Sequence, residues 1–84
     1  MNRTSAHLLV VDDDPFCASL VDNCLRAAGF VSCYCCDAKN AMAMISAELP
    51  DLIIMDVLMP DIDGFELCRL VRAHPATQLT PIIF

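Results

Sequence analysis

Leu8-Leu9-Val10-Val11 and Leu52-Ile53-Ile54-Met55 are unbroken apolar runs, and each leads into aspartate. A strand with one wet face alternates apolar and polar residues. An unbroken run instead predicts a strand covered on both faces, as in a parallel sheet. Parallel neighbours need long crossovers, usually helical, and the intervening segments supply them. Asp14 is a predicted N-cap with Pro15 at the first helical position. Phe16, Leu20, Cys24 and Ala28 then recur at helical spacing beside Cys17, Val21 and Leu25, which predicts a buried stripe stopped by Gly29. Phe30 to Cys36 reads as a second strand of β-branched, aromatic and thiol side chains. Asp37 can cap a second helix over Ala38 to Glu48, inward at Ala41, Met42 and Ile45 and ended by Pro50. After the third strand, Leu52 to Met55, a loop with Pro60 and Gly64 leads to a helix from Phe65 to Ala73, inward at Leu67, Leu70 and Val71. Pro81-Ile82-Ile83-Phe84 starts a fourth strand.

The order βαβαβαβ predicts one α/β domain over residues 1–84, a parallel sheet with helices on both faces. With 57% apolar and 19% charged residues, the chain has a rich interior for its length, which argues against disorder and for apolar surface facing a partner. A net charge of −6, with Arg3, Arg26, Lys39, Arg69 and Arg72 scattered, argues against direct binding of nucleic acid. No segment has the length of a membrane span, and the amino terminus has no signal-peptide pattern, so the expected location is cytoplasmic. Cys17, Cys24, Cys33, Cys35, Cys36 and Cys68 are then reduced thiols. Their spacing lacks the paired loops of a zinc site, so they are expected to pack as small apolar residues. Cys17 and Cys24 fall on the predicted buried helix face, and Cys36, near a strand end, is the one placed for reactivity.

Ligands of open parallel sheets gather at the carboxyl ends of the strands. Asp12 and Asp13 stand at that end of the first strand, and Asp56 at that end of the third. Neighbouring strands lie about 4.8 Å apart, so both clusters can share one ion. Magnesium takes six oxygens, usually one or two carboxylates with water and phosphate. Asp12, Asp13 and Asp56 are the candidate ligands, with the backbone carbonyl of Leu58 beside them. A single acid at a strand end is ordinarily a cap or turn residue, as Asp14, Asp61 and Asp63 are read here. Two clusters at matching ends point further. With the ion in place, Asp56 can attack phosphorus in line and form an acyl phosphate. His74 reads as a structural residue at a helix end. No Ser/His/Asp set, glycine-rich phosphate loop or HExxH motif occurs, and the chain reads as an acceptor rather than an enzyme.

The stretches Leu8 to Pro15, Gly29-Phe30, Pro50 to Leu67 and Thr80 to Phe84, in that order, resemble the receiver domain of bacterial two-component response regulators. The resemblance covers essentially the whole chain. It implies a flavodoxin-like fold with strand order 2-1-3-4-5 and Asp56 as phosphoacceptor. It implies Mg²⁺ on Asp12 and Asp13 with the Leu58 carbonyl, and a phosphohistidine donor on a sensor histidine kinase or phosphotransfer protein. The sequence stops two residues before the family's Ser/Thr position and holds no fifth-strand Lys, fourth helix, fifth strand or fifth helix. The expectation is therefore a receiver truncated after its fourth strand and impaired as a switch. An uncovered fourth strand and bare helix faces predict a homodimer through Ile82, Ile83 and Phe84. The competing reading is a dimerisation module that works without phosphorylation. A phosphatase of the haloacid-dehalogenase type needs an acid two residues after its nucleophile, and position 58 is Leu.

Overall fold

In the structure, a computed structural model, residues 6–56 and 64–84 are described, with backbone alone at 38, 39 and 64. The elements are β1 (His7–Val11), α1 (Pro15–Ala27), β2 (Val31–Cys35), α2 (Ala38–Glu48), β3 (Leu52–Met55), α3 (Gly64–Ala73) and β4 (Ile82–Ile83). The strands form one parallel sheet in the order β2-β1-β3-β4. This is the flavodoxin-like arrangement, and the described residues carry four of its strands and three of its helices. Boundaries move by one residue or so from the sequence expectation, and β4 shrinks to Ile82–Ile83.

Register decides which side chains share a face. Leu9, Ile53 and Ile82 lie side by side across three strands, as do Val10, Ile54 and Ile83. The first row, with Val11, Cys35 and Met55, meets Ala41 and Ile45 of α2 and Leu67 and Val71 of α3 in one core. The second row points to the face that α1 covers. Burying a Leu or Ile side chain stabilises by about 1.5–3 kcal/mol, and most of the fully buried apolar side chains lie on the α2/α3 face.

Helix α1 starts and stops as its sequence predicts. The Asp14 side chain accepts hydrogen bonds from the Phe16 and Cys17 amides, with Pro15 in the first turn. Gly29 closes the helix at φ 97°, a conformation that costs residues with a Cβ about 1–2 kcal/mol. The Gly29 and Phe30 amides donate to the carbonyls of Arg26 and Leu25, which satisfies the last turn.

The buried face of α1 is only in part the expected one: Val21 and Leu25 are half-buried, as expected. Phe16 and Leu20 are 65% and 55% exposed, and Cys17 and Cys24 are exposed beside them. Ala18 and Asp22 are buried instead. The cause is a polar clamp. The Ser32 hydroxyl of β2 donates to Asp22, Arg26 Nε donates to Asp22 Oδ2 at 3.0 Å, and Arg26 Nη2 donates to the Ser32 carbonyl at 2.7 Å. With Asp22 held against β2, the arc through Ala18 faces the sheet and the 16-20-24 stripe faces away.

The α3–β4 connection is tied by buried Thr77, whose hydroxyl donates to the Val71 carbonyl at 2.8 Å, and by Arg72, which donates to the carbonyls of Gln78 and Thr80. His74 Nδ1 accepts the Ala76 amide at 3.2 Å, a turn-forming role consistent with its structural reading. No helix among the described residues is long and apolar enough to cross a membrane.

Candidate functional site

Two backbone hydrogen bonds build the site. Beyond the last ladder pair, Val11 with Met55, the Asp56 amide donates to the Val11 carbonyl at 2.8 Å. On the other side the Asp12 amide donates to the Cys35 carbonyl at 3.1 Å. The ladder thus runs one residue past the strands and sets Asp12 beside Asp56. Carboxylate oxygens of Asp12, Asp13 and Asp56 all lie within 4.8 Å of one another. Asp12 and Asp56 are half-buried and Asp13 is exposed.

The electrostatics match that crowding. The Asp13 carboxyl is pushed above its ordinary value, first by partial desolvation, then by its hydrogen bond with Asp56 and the charges of Asp56 and Asp12. Like charges this close resist joint ionisation. A hard cation with oxygen preference relieves the repulsion, and the donor set, three carboxylates open to water on one side, suits Mg²⁺. Leu58 lies outside the described residues, as do Asp61 and Asp63.

Asp14, next in sequence, behaves oppositely. Its carboxyl is held below the usual range by the Cys17 thiol and then by the Phe16 and Cys17 amides. It serves the helix, as expected of a cap. Its own amide donates to Asp12 Oδ1 at 2.9 Å. The Cys17 thiol, which the sequence placed in the core, donates to Asp14 Oδ2 at 3.3 Å.

Cys36, the thiol expected to be reactive, is half-buried near the acidic cluster. Partial burial, Cys35 and the nearby acids Asp12, Asp14 and Asp13 raise its thiol, so less thiolate is present to react. Of the three residues expected at an interface, Ile82 packs against the core, while Ile83 and Phe84 are half-exposed. The Phe84 ring lies 5.0 Å from that of Phe65. This pair had no periodic signal in the sequence. The Asp22–Arg26 pair did have one, the i, i+4 spacing of a helical ion pair.

A parallel sheet in the order β2-β1-β3-β4 with an acid trio at the carboxyl ends of β1 and β3 defines a flavodoxin-like α/β domain with an acidic site. Residues 8–84 match the family model described as the response regulator receiver domain, and the chain belongs to that family. The chain is 38% identical over 79 residues to the response regulator PleD of Caulobacter vibrioides, covering 94% of this chain and 17% of that protein. A putative response regulator from Chloroflexus aurantiacus superposes with TM-score 0.87 at 42% identity, over 94% of this chain and 65% of that one. The chemotaxis response regulator CheY4 of Vibrio cholerae does so with TM-score 0.89 at 35% identity, over 94% and 66%. The chain thus spans a small part of PleD and about two thirds of the two solved structures.

Proposed function

We propose that the chain is a phosphoacceptor module of a two-component relay, with Asp56 taking a phosphoryl group from a phosphohistidine. The donor is a sensor histidine kinase or a phosphotransfer protein, and Asp12, Asp13 and Asp56 hold Mg²⁺. The observation that carries this reading is the convergence of three carboxylates, from two strands, within 4.8 Å. An Asp56 oxygen attacks phosphorus opposite the imidazole nitrogen. The P–N bond breaks, its electron pair stays on nitrogen, which takes up a proton, and an acyl phosphate remains on Asp56. Mg²⁺ held by Asp12, Asp13 and Asp56 would offset the negative charge that the phosphoryl group brings to the three acids. Asp12, whose Oδ1 accepts the Asp14 amide, would be held in place to offer its carboxylate to the ion. In this reading the chain is an acceptor rather than an enzyme, and it works in the cytoplasm.

The test is intact-mass measurement after incubation with acetyl phosphate and Mg²⁺. The expected result is an adduct of one phosphoryl group, absent from Asp56→Asn and absent after chelation. An unmodified mass in all three samples overturns the reading.

A second reading is favoured by the exposed apolar residues Phe16, Leu20, Ile83 and Phe84: a module that pairs with a second copy through the β4 edge and the helix faces, without phosphorylation. Concentration-independent monomer mass in light scattering removes it.

A further inference from the structure

Three consecutive acids follow β1, yet only Asp12 and Asp13 join Asp56 in the cluster. The third is held elsewhere at every polar position. Its carboxylate takes the Phe16 amide at 2.9 Å and the Cys17 amide at 3.4 Å on Oδ1, and the Cys17 thiol on Oδ2. Its carbonyl accepts the Ala18 amide at 2.9 Å as the first helical hydrogen bond. Its amide points back and donates to Asp12 Oδ1 at 2.9 Å. Asp12 is itself fixed from the other side, where its amide meets the Cys35 carbonyl. The link between sheet ladder and helix is therefore pinned at both ends, and Asp13 bridges the pins.

We infer that Asp14 is a positioning residue for the acidic site: by capping α1 it fixes its own amide against Asp12 and sets which carboxylates of the triple face a cation. The inference rests on the reading of Asp12, Asp13 and Asp56 as a cation site, and it assigns Asp14 no contact with the ion. Hydrogen-bonded groups behind a metal ligand orient it, and removing them typically weakens metal binding about 10–100-fold. Asp14 acts through geometry, so a neutral side chain that still caps the helix should serve as well. Asn is such a residue, since its side-chain oxygen accepts the same amide hydrogens.

The experiment compares Asp14→Ala, Asp14→Asn and, as a control at the far end of α1, Arg26→Ala. The first readout is Mg²⁺ affinity of the full chain by titration calorimetry. The second is hydrogen exchange of the residue-14 amide in metal-free protein. Asp14→Ala is expected to lower Mg²⁺ affinity about tenfold and to speed exchange at residue 14. Asp14→Asn should stay within about twofold of the parent in both, because it caps equally well. Arg26→Ala should lower Tm but leave both readouts unchanged.

Three outcomes overturn the inference. One is unchanged exchange at residue 14 in Asp14→Ala. Another is a loss in Asp14→Asn as large as in Asp14→Ala, which would make the charge the cause. The third is equal loss in Arg26→Ala, which would make general destabilisation the cause. If the parent chain fails to bind Mg²⁺, the cation-site reading falls, while the exchange readout still decides whether the cap fixes this amide.

Discussion

The two faces of the sheet carry the same kind of residue and have different fates. On the α2/α3 side, Leu9 and Ile53 are fully buried and Ile82 packs against the core. On the α1 side, one residue along, Val10 is 2% exposed, Ile54 is half-buried and Ile83 is 52% exposed. Burial on that side fades strand by strand away from α1, which packs on β1 and β2. Among the described residues, two helices cover one layer, and the single helix on the other leaves Ile83 exposed. Strand hydrophobicity therefore reports that a face can be covered, and the helix count decides how far it is.

Thiol accessibility gives the largest expected contrast between the layers. Cys35 is buried in the α2/α3 core and Cys24 sits exposed on the outer side of α1. Alkylation of Cys35 has to wait for opening of the core, so it should be slower than that of Cys24 by on the order of a thousandfold. Cys17, also exposed, should fall between them, because its hydrogen bond to Asp14 and that residue's charge raise the thiol. Time-resolved alkylation read by peptide mass would show the order. Equal rates at Cys35 and Cys24 would erase the distinction between the two layers.

Paired truncations sharpen the same comparison in energy. Ile53→Ala removes packing from a fully buried site and should cost about 2–5 kcal/mol. Ile83→Ala, one strand over on the thinly covered side, should cost about 1 kcal/mol or less. Urea midpoints at constant slope would measure both. Similar losses would mean that Ile83 is covered by something outside these four strands and three helices.

Much of this arrangement was legible in the sequence. The unbroken runs at Leu8 and Leu52 demanded strands with two covered faces, and punctuation by Asp14-Pro15, Gly29 and Pro50 placed the helices within a residue or so. The acid trio followed from the same topology, since both runs end in aspartate on neighbouring parallel strands. The facing of α1 was not legible. A periodicity count prefers the larger apolar residues Phe16, Leu20 and Cys24 over an arc that contains Asp22. The choice was made by Asp22 and Ser32, a long-range polar contact that no local pattern encodes. The thiol on Asp14 was missed for a related reason: Cys17 was counted as apolar, whereas its hydrogen can satisfy a carboxylate.

The smallest expected effect is also the sharpest probe of the open side. Leu20 lies mid-helix with more than half its surface in water, so Leu20→Gln removes little burial and keeps good helix propensity. Its cost should stay within about 0.5 kcal/mol, the usual range for surface substitutions. A loss above about 1 kcal/mol would require that the side chain be packed, and an uncovered α1 stripe would no longer describe the protein in solution. Measuring at two protein concentrations separates the causes. If a second copy covers the stripe, the loss grows with concentration and sedimentation mass falls in the variant, because association stabilises by mass action. A concentration-independent loss places the covering contact within the chain itself.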